Sequence, residues 1–546
     1  MTQLVAFLPL AAPIALLVAA CVALNDPSMR PRHALASAGI ASMLALGAAL
    51  AGVAVLVGSG PLTSPLIGAG GIGLSVRLDA LSVAMLALVA TVGVVVIRFS
   101  ATYLDGDARQ GIFTGRLCLT LAAVMLLVTS GNTVQLALAW IATSLALHGL
   151  LVFYGDRPRA VIAARKKFIA ARLGDLLLIG ALVPLTLAFG TTDIATILQA
   201  ARDLPAAPAG VGFAAVLIAL AALVKSAAFP THGWLPEVMD TPTPVSALLH
   251  AGIINAGGFL AIRFADILVL FTPSLHLLAI VGGFTALFGA VVMLTQTSVK
   301  VSLAWSTVAQ MGFMLLQCGL GLFALATLHL VAHSLYKAHA FLSAGSAAET
   351  VGETRALALL APAPGRIAVA GGLALGVTVA LSFGFSALLG IFGDDTAAAT
   401  AAASPQAIAL GAILVFGLTL MLVHAGPKDG AGASGATGSA PALPLGRLLA
   451  VCVAVTLAYL ALHALAQTLY AGVLPPPPVV DVAGIAVMLL AVTSFALVTV
   501  FQLVEPARAA SPAWRAARVH LANGLYVNTL FNRLAGAYTA PGHSKA

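Results

Sequence analysis

Charged side chains are scarce in this sequence. Asp, Glu, Lys and Arg make up 8% of 546 residues, against about 25% in soluble domains, which excludes a cytosolic globular protein. Carboxylates are rarer than bases, 18 against 26, and the net charge is +8. The bases sit in short loops between apolar stretches and form no stripe on a polar face, so they read as topology signals and no nucleic-acid partner is expected. Cys21, Cys118, Cys318 and Cys452 stand singly in apolar stretches, without a C-x-x-C pair or a neighbouring cluster of metal ligands. They are expected to be inert packing residues. The first residues lack a basic n-region and run to about 20 apolar positions, so they read as a retained first helix. Strand-length alternating segments are also absent. Residues AVILMFWYC make up 61% and mean hydropathy is +1.07, so most of the chain belongs in hydrocarbon as helices, whose backbone satisfies itself. The expected fold is an all-α polytopic membrane protein.

Apolar windows punctuated by Gly, Pro and charge give fifteen candidate spans, at about 4–24, 35–58, 80–99, 115–130, 132–153, 167–190, 210–229, 243–270, 274–296, 300–320, 322–348, 366–391, 404–424, 446–471 and 480–504. Most Lys and Arg fall in odd-numbered loops or the tail. Arg77, Arg202 and Arg263 fall in even-numbered loops or helix ends, and Arg172, Lys225 and Lys337 lie inside spans. That asymmetry predicts a periplasmic N-terminus and a cytoplasmic C-terminus. Residues 426–445 read as a flexible linker and Pro475–Pro478 as a stiff spacer. From Ser511 to Tyr538, Trp514, Arg515 and Arg518 precede Leu521, Leu525, Leu530, Phe531 and Leu534 at near-helical spacing. This predicts an amphipathic helix on the membrane or a partner, or else a solvated tail.

An ionisable group at mid-bilayer costs about 2.5–3.5 kcal/mol on insertion scales, so each needs a partner, water or a role. Pro230 lacks an amide hydrogen and is expected to break the helix just after Lys225, letting water reach that lysine. The alternative is a lysine that snorkels to an interface as an anchor. His250 follows a Pro-Thr-Pro segment, and Gly252, Gly257 and Gly258 permit close helix approach. It reads as a proton relay or as a hydrogen-bonded core residue. His329, His333 and Lys337, at i, i+4 and i+8, form one stripe roughly 12 Å long, suited to a relay or to a polar seam between helices. An H-x-x-x-H metal site is a weaker reading, because no third ligand lies nearby in sequence. Arg172 and Asp175 share a helix face and are expected to pair; Asp175 is also the first candidate to compensate Lys225. His148 and His339 are lesser candidates.

Five segments in order resemble the proton-translocating, antiporter-like membrane subunits, which include the L subunit of respiratory complex I and the large subunit of Mrp antiporters. They are LDALSVAMLALVATVGVVV, ARKKFIAARLGDLL, KSAAFPTHGWLPEVMDTPTPVSALLHAG, SVKVSLAWSTVAQMGFM and LHLVAHSLYKAHAFLSAGS. The resemblance implies three N-terminal helices over 1–110, inverted five-helix repeats over 111–270 and 271–425, helices 14 and 15 over 446–505, and a cytoplasmic tail over 506–546. It also implies a hydrated proton path through Lys225, His250, Lys300, His329, His333 and Lys337. Three features depart from the complex I pattern. Ile141, not glutamate, follows Trp140, and no lysine lies between Lys337 and Lys428; the length for a long lateral helix is also missing. AWIATSLALHGLLVFYGDRPRAVIAARKKF, HAGIINAGGFLAIRFAD and NGLYVNTLFNRL are more similar to the membrane subunits of bacterial inorganic-carbon accumulation complexes. That branch implies a large cytoplasmic zinc partner with a site like that of a beta-carbonic anhydrase. Zinc and carbon dioxide hydration would belong to that partner. This chain would carry H⁺ or Na⁺, with no cofactor and no enzyme activity of its own. The other readings are a proton-pumping subunit of a complex I-like assembly and a sodium/proton antiporter module.

Overall fold

The computed structural model describes residues 2–26, 28–345, 362–392, 404–425, 444–508 and 511–534. Among them, twelve helices are long and apolar enough to cross a membrane. The shorter Leu8–Leu24 and Gly210–Lys225 and the more polar Phe323–Leu342 occupy the other three expected positions. In chain order the helices are α1 (Ala11–Leu24), α2 (Arg32–Ser59), α3 (Ala80–Tyr103), α4 (Gln110–Val128), α5 (Thr133–Leu151), α6 (Pro158–Phe189), α7 (Ala209–Lys225), α8 (Thr243–Arg263), α9 (Thr272–Thr295), α10 (Val299–Gly319), α11 (Phe323–Leu342), α12 (Pro364–Phe392), α13 (Pro405–Ala425), α14 (Leu445–Leu469) and α15 (Val482–Arg508). The protein is an all-α, multi-span membrane protein. Two small antiparallel hairpins, pairing Leu62–Thr63 with Arg77–Leu78 and Ile67–Ala69 with Ile72–Leu74, interrupt the helical pattern between α2 and α3. The linker expected over 426–445 lies mostly outside the described residues, as does the tail after Leu534.

The chain divides into two compact units. One comprises Met1–Gly319, His329–Gly345 and Gly524–Ala546, the other Leu320–Leu328 and Ser346–Asn523. In the second unit, Ala374 of α12, Val415 and Leu418 of α13, Leu448 and Cys452 of α14 and Leu503 of α15 form an apolar core. Cys452 is thus a packing residue.

In the first unit, element ends have local causes. Asp79 caps α3 by accepting from the Ser82 amide at 2.8 Å, and Asn132 caps α5 through the Gln135 amide at 2.8 Å; each supplies an acceptor that the first helical turn lacks. Pro158 opens α6, and Gly190, left-handed at φ 66°, follows its end. α6 therefore begins well before the expected residue 167. Arg159, Arg165, Lys166 and Lys167, read from sequence as loop charges, belong to this helix. Ala, Arg and Lys are strong helix formers, so the run extends through them. Lys166 and Lys167 are buried, at 0% and 5% exposure.

Close helix packing in the first unit depends on missing side chains. A Cβ on Gly257 of α8 would collide with the Ser226 hydroxyl and the Ala222 carbonyl, so α8 lies directly against the end of α7. A Cβ on Gly289 of α9 would stand 2.7 Å from the Ala309 amide nitrogen of α10, and α9 packs along α10 over much of its length. Such close backbone approach is the usual role of small residues between membrane helices.

Candidate ion path

α7 ends at Lys225. The chain continues irregularly, with Ala227 at φ 52°, to a 3₁₀ turn Thr231–Gly233 and a short helix Trp234–Glu237. α8 is also irregular. It passes through a π-turn at Leu249–Ile253, which places His250 at a departure from regular helix, a feature frequent at functional sites.

The Lys225 Nζ is buried and makes no hydrogen bond to a described residue. It lies 4.1 Å from the centre of the Trp140 ring of α5, a cation–π arrangement. Asp175 of α6 acts on it electrostatically and forms an ion pair with Arg172 at 2.7 Å. Lys225 shares a cavity of about 20 Å³ with Lys167, Ser144, Ala170, Trp234 and Leu249, roughly the space of one water. Lys167 donates to the Ser144 carbonyl at 2.7 Å and hydroxyl at 3.0 Å. It is a member of this site that sequence reasoning assigned to a loop. Only the helix-forming Ala, Arg and Lys run hinted that it belongs to α6; its partner Ser144 lies in the preceding helix.

A second cluster gathers around α11. Lys337 is fully buried and donates to the Leu303 carbonyl of α10 at 2.9 Å. His250 interacts electrostatically with Lys337 and His333. Its Nδ1 lies 2.9 Å from the Thr307 hydroxyl and its ring stacks on Phe341 at 4.4 Å. The rings of His333 and His329 are 6.2 Å apart. The two His329 nitrogens meet Gln317 and Gln310, each at 2.8 Å. These amides occupy the positions that a metal would need on this ring.

Lys300 of α10 donates to Thr243 of α8 at 2.9 Å. His148 packs its ring 5.4 Å from Phe168. His339 is exposed and lines a groove of about 410 Å³ with Thr91, Val95 and Leu335. Among the described residues, buried polar atoms without a hydrogen-bond partner in the first unit include His148 Nδ1, Lys225 Nζ, both nitrogens of His232, His250 Nε2 and His333 Nε2. Each would cost about 1–3 kcal/mol in dry packing.

The unit also holds a closed charge network that the sequence did not disclose. Arg263, at the end of α8, donates to Asp79 at 2.5 and 3.2 Å and to Ser82 at 2.5 Å, while Arg77 donates to Asp79 at 2.7 Å. Burial alone would raise the Asp79 carboxyl, but the Arg263 and Arg77 charges beside it hold it well below the usual carboxylate range.

Two family matches bear on this geometry. Residues 130–364 match the NADH:quinone oxidoreductase/Mrp antiporter transmembrane family, and residues 67–114 match the N-terminal region of chain 5 of complex I. Together they take in just over half of the chain, which belongs to the antiporter-like membrane subunits of the complex I and Mrp family. Among its relatives is the probable inorganic carbon transporter subunit DabB of Hydrogenovibrio crunogenus, 49% identical over 288 residues, or 53% of this chain and 56% of that protein. DabB2 of Halothiobacillus neapolitanus is 45% identical over 303 residues, 56% of this chain and 54% of that one. NADH-ubiquinone oxidoreductase chain 5 of Acanthamoeba castellanii is 36% identical over 278 residues, 49% of this chain and 41% of that one. The chain spans about half the length of the curated relatives it matches. In fold it is similar to the archaeal membrane-bound sulfane sulfur reductase complex, at a TM-score of 0.56 and 16% identity over 98% of this chain and 99% of that one. It also resembles the Mrp complex of Dietzia, at 0.55 and 24% over 97% of this chain and 57% of that one.

Proposed function

We propose that this chain is the cation-conducting, energy-coupling membrane subunit of an inorganic-carbon accumulation complex, and that the cation is the proton. The observation that carries the reading is the set of buried amines and imidazoles in the first unit, Lys225 at the end of α7 and the histidines of α8 and α11, with Lys225 Nζ, His250 Nε2 and His333 Nε2 lacking a hydrogen-bond partner among the described residues. Lys225 takes a proton in the cavity it shares with Lys167, with Asp175 stabilising the charged amine. The His250, His333 and Lys337 cluster passes protons between bases, and His329, its ring held by two glutamines, is the next base in the row. In this reading the N-terminus is periplasmic, the C-terminus is cytoplasmic and the membrane is the bacterial inner membrane. The carbon dioxide chemistry belongs to a DabA-like cytoplasmic partner that holds zinc, and this chain is not itself an enzyme. The likeness to DabB subunits supports the coupling to inorganic carbon.

The second reading is a proton-pumping subunit of a complex I-like assembly or an Mrp-type antiporter module. The chain 5 relatives favour it; Ile141 in place of the acid, and the want of a lysine through α12, weigh against it. Growth at ambient carbon dioxide tests the first reading. Lys225→Ala and Lys337→Ala are each expected to abolish it while the protein still accumulates in the membrane. Full growth of either variant removes that residue from the path. Collapsing the proton gradient should stop bicarbonate accumulation, and undiminished accumulation would mean that another ion drives it.

A further inference from the structure

The C-terminal segment is not a single amphipathic helix. Pro512–Ala522 ends before Gly524, Leu525 and Tyr526, which adopt φ of 56°, 52° and 61°. Such conformations in non-glycine residues cost of order 1–3 kcal/mol each and persist only where surroundings enforce them. The surroundings are specific. A Cβ on Gly524 would stand 3.3 Å from the Trp305 ring of α10, and the turn leads into a second helix, Val527–Leu534.

Asn528 of that helix reaches an ion pair between buried Lys166 of α6 and half-buried Glu237 of the short helix after α7. Its Oδ1 accepts from Lys166 Nζ at 2.9 Å, and its Nδ2 donates to Glu237. Lys166 itself pairs with Glu237. The amide thus bridges both partners of one pair. Gly233 makes room for it, since a Cβ there would collide with the Asn528 side chain. Phe531 adds its ring 6.0 Å from Lys166 Nζ.

This arrangement adjoins the Lys225 cavity. Trp234, which follows Gly233, lines that cavity and stands three residues from Glu237, on the same face of a single helical turn. His232, whose two buried nitrogens lack a hydrogen-bond partner, precedes Gly233 and lies within electrostatic reach of Lys166.

We infer that the segment from Gly524 to Leu534 is a working part of the ion path, with Asn528 as a positioning residue: it fixes the Lys166–Glu237 pair, whose chain neighbours Lys167 and Trp234 line the Lys225 cavity. The inference rests on the ion-path reading and adds residues to it. A neutral amide suits the task because it supplies one acceptor to the cation and one donor to the anion, without a charge of its own that would compete for either.

The test measures proton flux in inverted membrane vesicles carrying the full chain with its native partners, with the amount of folded protein followed alongside. Asn528→Leu, similar in shape without the polar atoms, is expected to lower flux about tenfold, and Glu237→Gln by a similar factor. The double variant Glu237→Gln with Asn528→Asp moves the carboxylate across the bridge, returning a counter-charge to Lys166. It is expected to recover to within about threefold of wild type, which a packing role would not produce. Wild-type flux in folded Asn528→Leu overturns the inference. Should that variant not fold, a double variant no better than Glu237→Gln overturns it. Lys225→Ala separates the two levels: flux that survives that change sinks the path reading itself, whereas flux lost there but indifferent to position 528 sinks only this inference.

Discussion

Lys225 and Lys337 are the same amine buried in two different ways. Around Lys225 the supports are a π face and an acid: the Trp140 ring lies beneath it and Asp175 attracts it, while the helix that carries it stops at that residue. Lys337 lies within a continuous helix, bonded to a backbone carbonyl, and the charges facing it are other bases, His250 and His333. The first site is balanced by Coulomb attraction, which acts over several ångströms. The second is balanced by hydrogen bonds, which act only in contact. Removing an acid should therefore weaken the first site and leave the second unchanged, whereas altering hydrogen-bond partners should do the reverse.

The sharpest contrast comes from the pair that is satisfied and belongs to neither site. Asp79→Ala strands Arg263, and breaking a buried ion pair this way is expected to cost about 3–5 kcal/mol of stability, measured by thermal unfolding in detergent. The pH dependence follows from the lowered Asp79 pKa. The stabilisation is fully present above the ordinary carboxylate value of about 3.9 and is lost as pH falls through the lower folded value, so the Asp79→Ala protein should lose that part of its acid sensitivity. A variant as stable as wild type would show that the network is not structural.

Next in size is Asp175→Asn. It removes the acid from the Lys225 site while keeping shape, and should lower proton flux about tenfold with the chain still folded; loss of folded protein would make the Arg172–Asp175 pair structural instead. The smallest effect is expected at the second site. Thr307→Val deletes one hydrogen bond to His250, worth about 0.5–1.5 kcal/mol, and should slow flux by a few-fold. An equal response of flux to Asp175→Asn and Thr307→Val would erase the distinction between the two lysines.

The helical spans were legible because hydrocarbon demands about 20 apolar residues at a time. Lys225 and Lys337 stood out because charge in such runs is rare. The end of α7 could be anticipated from Pro230. What the sequence concealed is long-range or balanced on propensity. Lys166 and Lys167 resembled loop charges because their partners lie elsewhere: Asn528 is 362 positions from Lys166 and Ser144 sits in the preceding helix. Nothing local links Asp79 to Arg263, 184 positions away. The tail was visible as amphipathic, but its break at Gly524–Tyr526 comes from docking on Trp305, which local spacing does not encode.

Proton flux through vesicles containing the full chain with its partners, driven by an imposed pH step, tests the central claim most directly. If buried lysines carry the ion, Lys225→Ala and Lys337→Ala should each slow that flux by roughly a hundredfold, the equivalent of the ~3 kcal/mol that an unassisted charge costs at mid-bilayer. Flux at the wild-type rate in both folded variants would contradict the account.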